Sequence, residues 1–133
     1  LQEYLEKVIP YGALSSNELL GNEEKLAAME RRFLLMVDEA IDINSALMYQ
    51  LDGRIAEVSK STFSELVSLK IIDQEFADKI AESVKVRNEL THNYERKQKS
   101  EVIADMKRFI EMYTLYTKIL IEKFTKEDNT ISQ

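Results

Sequence analysis

One short stretch concentrates the side chains that could do chemistry: Val86-Arg87-Asn88-Glu89-Leu90-Thr91-His92-Asn93-Tyr94-Glu95, which holds the single histidine of the 133 residues. A histidine titrates near neutral pH and can move protons in both directions. An arginine is always charged and offers a planar fork to phosphate oxygens, where negative charge grows in a phosphoryl-transfer transition state. Together they suit cleavage of RNA, in which the ribose 2′-hydroxyl is the nucleophile and no protein Ser, Cys or metal is needed. The chain has no cysteine, which excludes disulfide frameworks, thiolate catalysis, iron–sulfur clusters and Cys-based zinc sites.

The charge pattern sharpens this reading. The chain carries 24 acidic and 18 basic residues, a net charge of −6, with a pI near 4.9. That excludes a generic basic nucleic-acid coat protein, so RNA binding would require a local basic patch. Residues 85–99 supply one: Lys85, Arg87, Arg96, Lys97 and Lys99 against only Glu89 and Glu95. Lys85, Arg96, Lys97 and Lys99 are therefore the candidates for guiding RNA phosphates.

Spacing limits how the pair can act. Five residues apart on a regular helix, Arg87 and His92 point about 140° away from each other. Either the helix ends between them, or two chains each contribute one copy across a symmetry axis. Competing readings attach to the same residues. His92 could cap a helix, and Tyr94 could pack its ring at an interface. Glu89-x-x-His92 has the spacing of a dimetal bundle, with Glu39 as an extra ligand. Glu39 and Asp42 read more simply as solvated or interface carboxylates. Arg31 and Arg32 read as surface charges paired with nearby Glu, with Arg31 open to a protein partner.

The elements that must position these residues read as almost entirely helical. Pro10, Gly12, Gly21 and Gly53 are the only backbone breakers, all early in the chain. A short helix over 2–9 is expected to end at Pro10, followed by the longest connection, 10–22. Asn22 caps a long helix over 23–51 with Gly53 at its C-terminus. Its stripe is Leu26, Met29, Phe33, Val37, Ala40, Ile41, Asn44, Leu47, Met48 and Leu51. A helix over about 61–70 follows, with Thr62-x-x-Glu65 as a capping box. Asp73 caps a helix over 74–93 whose inner residues are Phe76, Ile80, Val84 and Leu90. Residues 94–99 link to a last helix capped by Ser100, with Ile103, Met106, Phe109, Ile110, Tyr113, Tyr116, Leu120 and Phe124 as its stripe. Tyr113 and Tyr116 are expected to pack in the core or at a dimer interface. The result is one all-α up-and-down bundle of about five helices over 1–126, with a polar tail over 127–133. The two long helices outrun the short ones, which leaves apolar surface for a second copy.

With the elements in place, Arg87-Asn88-x-x-x-His92-x-Tyr94 resembles the Arg-x-x-x-x-His-x-Tyr motif of the HepT (DUF86) family in the HEPN superfamily. The likeness extends over nearly the whole chain: a short first helix, a loop, a long helix reading Met29-Glu30-Arg31-Arg32-Phe33…Glu39-Ala40-Ile41-Asp42-Ile43, the motif helix and a long final helix. The resemblance implies a homodimeric, metal-independent endo- or exoribonuclease toxin of a type VII toxin–antitoxin module, with the motif at the dimer interface and tRNA as the expected RNA. It implies that Arg87 holds the scissile phosphate, that His92 is the acid/base and that Asn88 supports the site by hydrogen bonding. It further implies that an MntA-type nucleotidyltransferase antitoxin transfers AMP onto Tyr94. No cofactor, resident metal, DNA or membrane partner is expected. The absence of an 18–20-residue apolar run and of a signal-peptide pattern leads to a cytoplasmic expectation. Two other classes compete: a non-catalytic HEPN module binding a nucleotidyltransferase or nucleotide, and a purely structural helical dimer.

Overall fold

A computed structural model describes residues 1–57, 61–91 and 99–132, with side chains through residue 125. The expected all-α architecture is present, and the described residues form six helices: α1 (Gln2–Gly12), α2 (Ser16–Leu20), α3 (Glu23–Asp52), α4 (Thr62–Ser68), α5 (Gln74–Thr91) and α6 (Lys99–Ser132). The 30-residue α3 and 34-residue α6 are the long rods, about 45 and 50 Å at 1.5 Å per residue. α1 and α2 each touch both rods, α5 also bridges them, and α4 lies against α3 and α5.

Local chemistry explains most helix ends. Asn22 Oδ1 accepts from the Lys25 N–H at 3.1 Å, and Asp73 Oδ1 accepts from the Phe76 N–H at 2.8 Å. Gly53 ends α3 with φ +67°, the left-handed conformation that glycine adopts without a Cβ penalty. The chain departs from expectation at Pro10, which lies inside α1 rather than ending it. So near the C-terminus its missing N–H forfeits one helical bond, to the Glu6 carbonyl, and the last turn survives. The connection after it is not all loop: Ser15 Oγ caps the five-residue α2 by accepting from the Glu18 N–H. At α4 the cap is Ser61, whose Oγ accepts from the Phe63 N–H at 3.2 Å. Thr62 is diverted to accept from Asn44 Nδ2, and Glu65 pairs with Arg54 at 2.9 Å, so no capping box forms. α6 begins at Lys99, which puts Ser100 inside it, and its backbone stays helical through the polar residues 127–132.

The core lies between the two rods and the helices that bridge them. Phe33 of α3 meets Phe109 of α6 with ring centroids 6.5 Å apart, and Phe63, Tyr113 and Tyr116 form an edge-on trio at 5.8–6.3 Å. Tyr113 and Tyr116 are fully buried, so they are core residues. Burial also pushes both phenol pKa values up strongly. Each hydroxyl has a partner. Tyr116 donates to Asn44 Oδ1, which ties α6 to α3, and Asn44 passes the connection on to Thr62 of α4. Ser83 Oγ donates to the Ile80 carbonyl at 2.6 Å, so it accepts the proton of Tyr113 at 2.7 Å, tying α5 to α6. Met29, Met36, Met48 and Met106 fill the interior. Among the described residues no helix is long and apolar enough to cross a membrane.

The inner face of α5 is rotated from the expected one. Ala77, Ile80, Ser83 and Val86 are buried, while Phe76, Val84 and Leu90 are only partly so. Two of the four inward residues, Ala77 and Ser83, are small, and Phe76, Val84 and Leu90 flank that face.

Candidate active site

Steps of three and four residues along α5 run from Ile80 to Ser83 to Arg87. The arginine therefore continues a seam that is otherwise turned inward. A guanidinium on that seam requires a partner, and α3 provides it. Arg87 Nε donates to Asp38 Oδ1 at 2.8 Å and Nη2 donates to Asp38 Oδ2 at 3.3 Å, a two-point ion pair between helices. Nη1 donates to Asn88 Oδ1 at 3.2 Å. The motif asparagine thus touches the motif arginine. Thr91 Oγ1 donates to the Asn88 carbonyl at 2.8 Å, which closes the last turn of α5 under the site.

This arrangement leaves Arg87 armed. A guanidinium carries five N–H donors, and three are engaged by Asp38 and Asn88. Among the described residues one N–H on each terminal nitrogen has no acceptor, which leaves two donors for phosphate oxygens. The Arg87 and Asp38 side chains are 30% and 37% exposed, so a ligand can reach them.

Asp38, the partner of Arg87, is a residue that sequence reasoning did not single out; it noted Glu39 and Asp42 on the same helix and read them as solvated or interface carboxylates. A signal for it exists: Asp38 lies four residues after Leu34 and three before Ile41, within the apolar arc of α3 and off its polar face. A carboxylate there predicts a cationic partner. Glu39 is half-buried and Asp42 exposed. Glu89, the other half of the Glu-x-x-His spacing, is exposed as well, and no three His, Cys, Asp or Glu side chains gather among the described residues.

The other predicted site residues divide. Lys85 is exposed on α5, two residues before Arg87, and Lys99 is half-buried at the start of α6. His92, Tyr94, Arg96 and Lys97 lie outside the described residues. Arg31 is exposed and lines a shallow hollow with Leu34 and Leu90, one turn along the α3–α5 seam from the Asp38–Arg87 pair. Among the described residues Arg32 has no glutamate partner of the kind expected; its guanidinium sits over the Tyr11 ring, 5.9 Å from the centroid.

The chain is 28% identical over 115 residues to the tRNA nuclease HepT of Aphanizomenon flos-aquae (strain 2012/KM1/D3), an alignment covering 86% of this chain and 78% of the relative. It is 29% identical over 107 residues to an Archaeoglobus fulgidus protein named "Putative RNase", covering 79% and 80%. The profile of the family described as Ribonuclease HepT-like matches residues 1–120, and with that match spanning the helices that carry the Asp38–Arg87–Asn88 site, the chain belongs to the HepT-like ribonuclease family.

Proposed function

We propose that the protein is a metal-independent HEPN ribonuclease, the toxin of a cytoplasmic toxin–antitoxin pair, acting on RNA and in particular on tRNA. The observation that carries the reading is the two-point pairing of Arg87 with Asp38. The fork already holds a carboxylate at two points, and the two N–H groups with no acceptor among the described residues can serve a phosphate. Membership of the family and the tRNA nuclease among the relatives support the substrate class.

In this reading Arg87 binds the non-bridging oxygens of the scissile phosphate, and Asn88 fixes the guanidinium plane. The ribose 2′-oxygen attacks phosphorus as its proton passes to a base. The bond from phosphorus to the 5′-oxygen breaks, and that oxygen takes a proton from an acid. A cyclic 2′,3′-phosphate and a 5′-hydroxyl result. His92 is the proton-transfer group, and a homodimer presenting two copies of the motif at its interface would supply one histidine for each transfer. Lys85, Arg96, Lys97 and Lys99 guide the flanking backbone. An MntA-like nucleotidyltransferase antitoxin silences the site: the Tyr94 hydroxyl oxygen attacks the α-phosphorus of ATP, pyrophosphate leaves, and AMP remains on the ring. The added phosphate competes for the charge of Arg87.

The test is cleavage of total tRNA in EDTA by wild type, Arg87→Ala and His92→Ala, with dimerisation and folding measured alongside. Cleavage by wild type alone is expected. Intact RNA with wild type, together with an unmodified Tyr94 peptide by mass spectrometry, would sink the nuclease reading and favour the non-catalytic module.

A further inference from the structure

The seam that carries Arg87 opens, one turn toward the N-terminus of α5, into a cavity of about 530 Å³. Ile41 and Ser45 of α3, Phe63 of α4, and Ala81 and Val84 of α5 form its walls. Ile41 follows Asp38 by three residues and Val84 precedes Arg87 by three, so the cavity begins one helical turn, about 5 Å, from the ion pair. The cavity is of the size that takes small planar ligands, and its rim is polar: Lys85, Ser61 and Glu57.

We propose that this cavity is a nucleobase subsite, taking one unpaired base of the RNA beside the phosphate held by Arg87. The inference deepens the ribonuclease reading and rests on it. Three features favour a nucleotide over a protein segment. The apolar walls suit the face of a base. The cationic rim residue, Lys85, stands on the same helix as Arg87 and suits the flanking phosphate. The large exposed apolar residues that would mark a protein-docking face, among them Tyr49, Leu51, Leu115 and Ile121, do not line the cavity. Single-stranded RNA is read in this manner, by bases splayed from the stack into apolar slots while cations track the backbone. A duplex could not deliver a base there, so the subsite makes the enzyme selective for loops and single-stranded ends.

The experiment measures binding separately from cleavage. Short single-stranded RNAs with 2′-deoxyribose at the scissile position, differing in one base, are titrated by fluorescence anisotropy against wild type, Arg87→Ala, Ala81→Phe, Ser45→Phe and Lys85→Ala. Thermal denaturation and sedimentation report the fold and assembly of each variant. Ala81→Phe and Ser45→Phe fill the cavity from opposite helices. Each is expected to weaken binding about tenfold and to level the preference among bases, in line with the loss of one base contact. Lys85→Ala, exposed and outside the core, is expected to weaken all sequences equally and keep the preference. Folded cavity variants that bind with wild-type affinity and preference would overturn the subsite, as would a wild type with no base preference. So would loss of assembly in both filled variants, because it would give the cavity to a second copy. A wild type that binds no better than Arg87→Ala would instead defeat the underlying nuclease reading.

Discussion

The Asp38–Arg87 pair makes a prediction that separates positioning from binding. Asp38→Ala removes both acceptors, at 2.8 and 3.3 Å, while leaving Arg87 in place. With both side chains about one-third exposed, the pair is worth more than a surface ion pair and less than a buried one, about 1 kcal/mol. A fall in Tm of about 3 °C follows. The effect on activity has two opposed parts. Asp38 repels a phosphate across the guanidinium by about 3 kcal/mol at a separation of ~6 Å and an effective dielectric of 20, before water screens it to a fraction of that. Its loss should lower KM, by up to about fivefold. The freed fork no longer holds its plane, and a misplacement of ~1 Å can cost ~100-fold in rate. We therefore expect kcat to fall about 10- to 100-fold with KM unchanged or lower, whereas Arg87→Ala raises KM and abolishes kcat. Asp38→Asn, which keeps one acceptor, should fall between. Steady-state cleavage of one RNA oligonucleotide by the four proteins reads this directly. A folded Asp38→Ala enzyme with wild-type kcat would refute the positioning argument.

Tyr113→Phe removes the proton that Ser83 accepts and should cost about 1 kcal/mol in urea denaturation. Alkali should unfold the protein from about pH 10: both buried phenols have raised pKa values, so the unfolded chain loses protons first and stability falls as pH rises. That dependence should flatten in Tyr113→Phe/Tyr116→Phe. Lys70 holds φ +63° after α4, with the Lys70 and Ile71 N–H groups bonded to Val67 and Leu66 in the arrangement that usually employs glycine; Lys70→Gly should raise stability by about 0.5–1 kcal/mol in thermal or urea denaturation. If Arg87, Lys85, Arg96, Lys97 and Lys99 each neutralise a phosphate, log K for single-stranded RNA should fall with log salt at a slope of about −3.5, against about −0.7 for Arg87 alone. A measured slope flatter than about −1 would remove the guiding role of the four flanking cations.

Much of this molecule could be read before its structure. The absence of breakers after Gly53, the stripe of α3 and the caps Asn22, Asp73 and Gly53 give both ends of α3 and the starts of α5 and α6 to within a residue or two, because each signal is local; the end of α6 runs on to Ser132, through residues whose polarity reads as a tail. The misses have physical reasons. α2 has five residues, too few for a period, and only the Ser15 cap betrays it. At α4 two hydroxyls compete for one cap, and Asn44, eighteen residues away, decides by taking Thr62. On α5 hydropathy favours Phe76 and Val84, but the face turned inward carries Ala77 and Ser83 beside Ile80 and Val86, and Ser83 is held there by its bond to Tyr113. Arg87 and Asn88 stand out from their types and spacing. Asp38 shows only as a carboxylate on the apolar arc of α3; which cation it meets is not local, since its partner lies 49 residues away.

The polar contacts of the interior follow one logic that bears on the site. Ser83 with Tyr113 ties α5 to α6, Asn44 with Tyr116 and Thr62 ties α3 to α6 and α4, and Asp38 with Arg87 ties α3 to α5. Apolar packing alone would tolerate α5 sliding or rolling by a fraction of a turn against its neighbours. Paired hydrogen bonds do not, because an unmatched buried polar group costs about 1–3 kcal/mol. Ser83 lies one turn before Arg87, so the bond to Tyr113 sets the roll of α5 at the point where the guanidinium must meet Asp38. The orientation of the Arg87 fork is thus fixed from two sides, by α6 through Ser83 and by α3 through Asp38. A site built this way can be open to substrate and still hold its arginine in one geometry, which is what electrostatic stabilisation of a transition state requires.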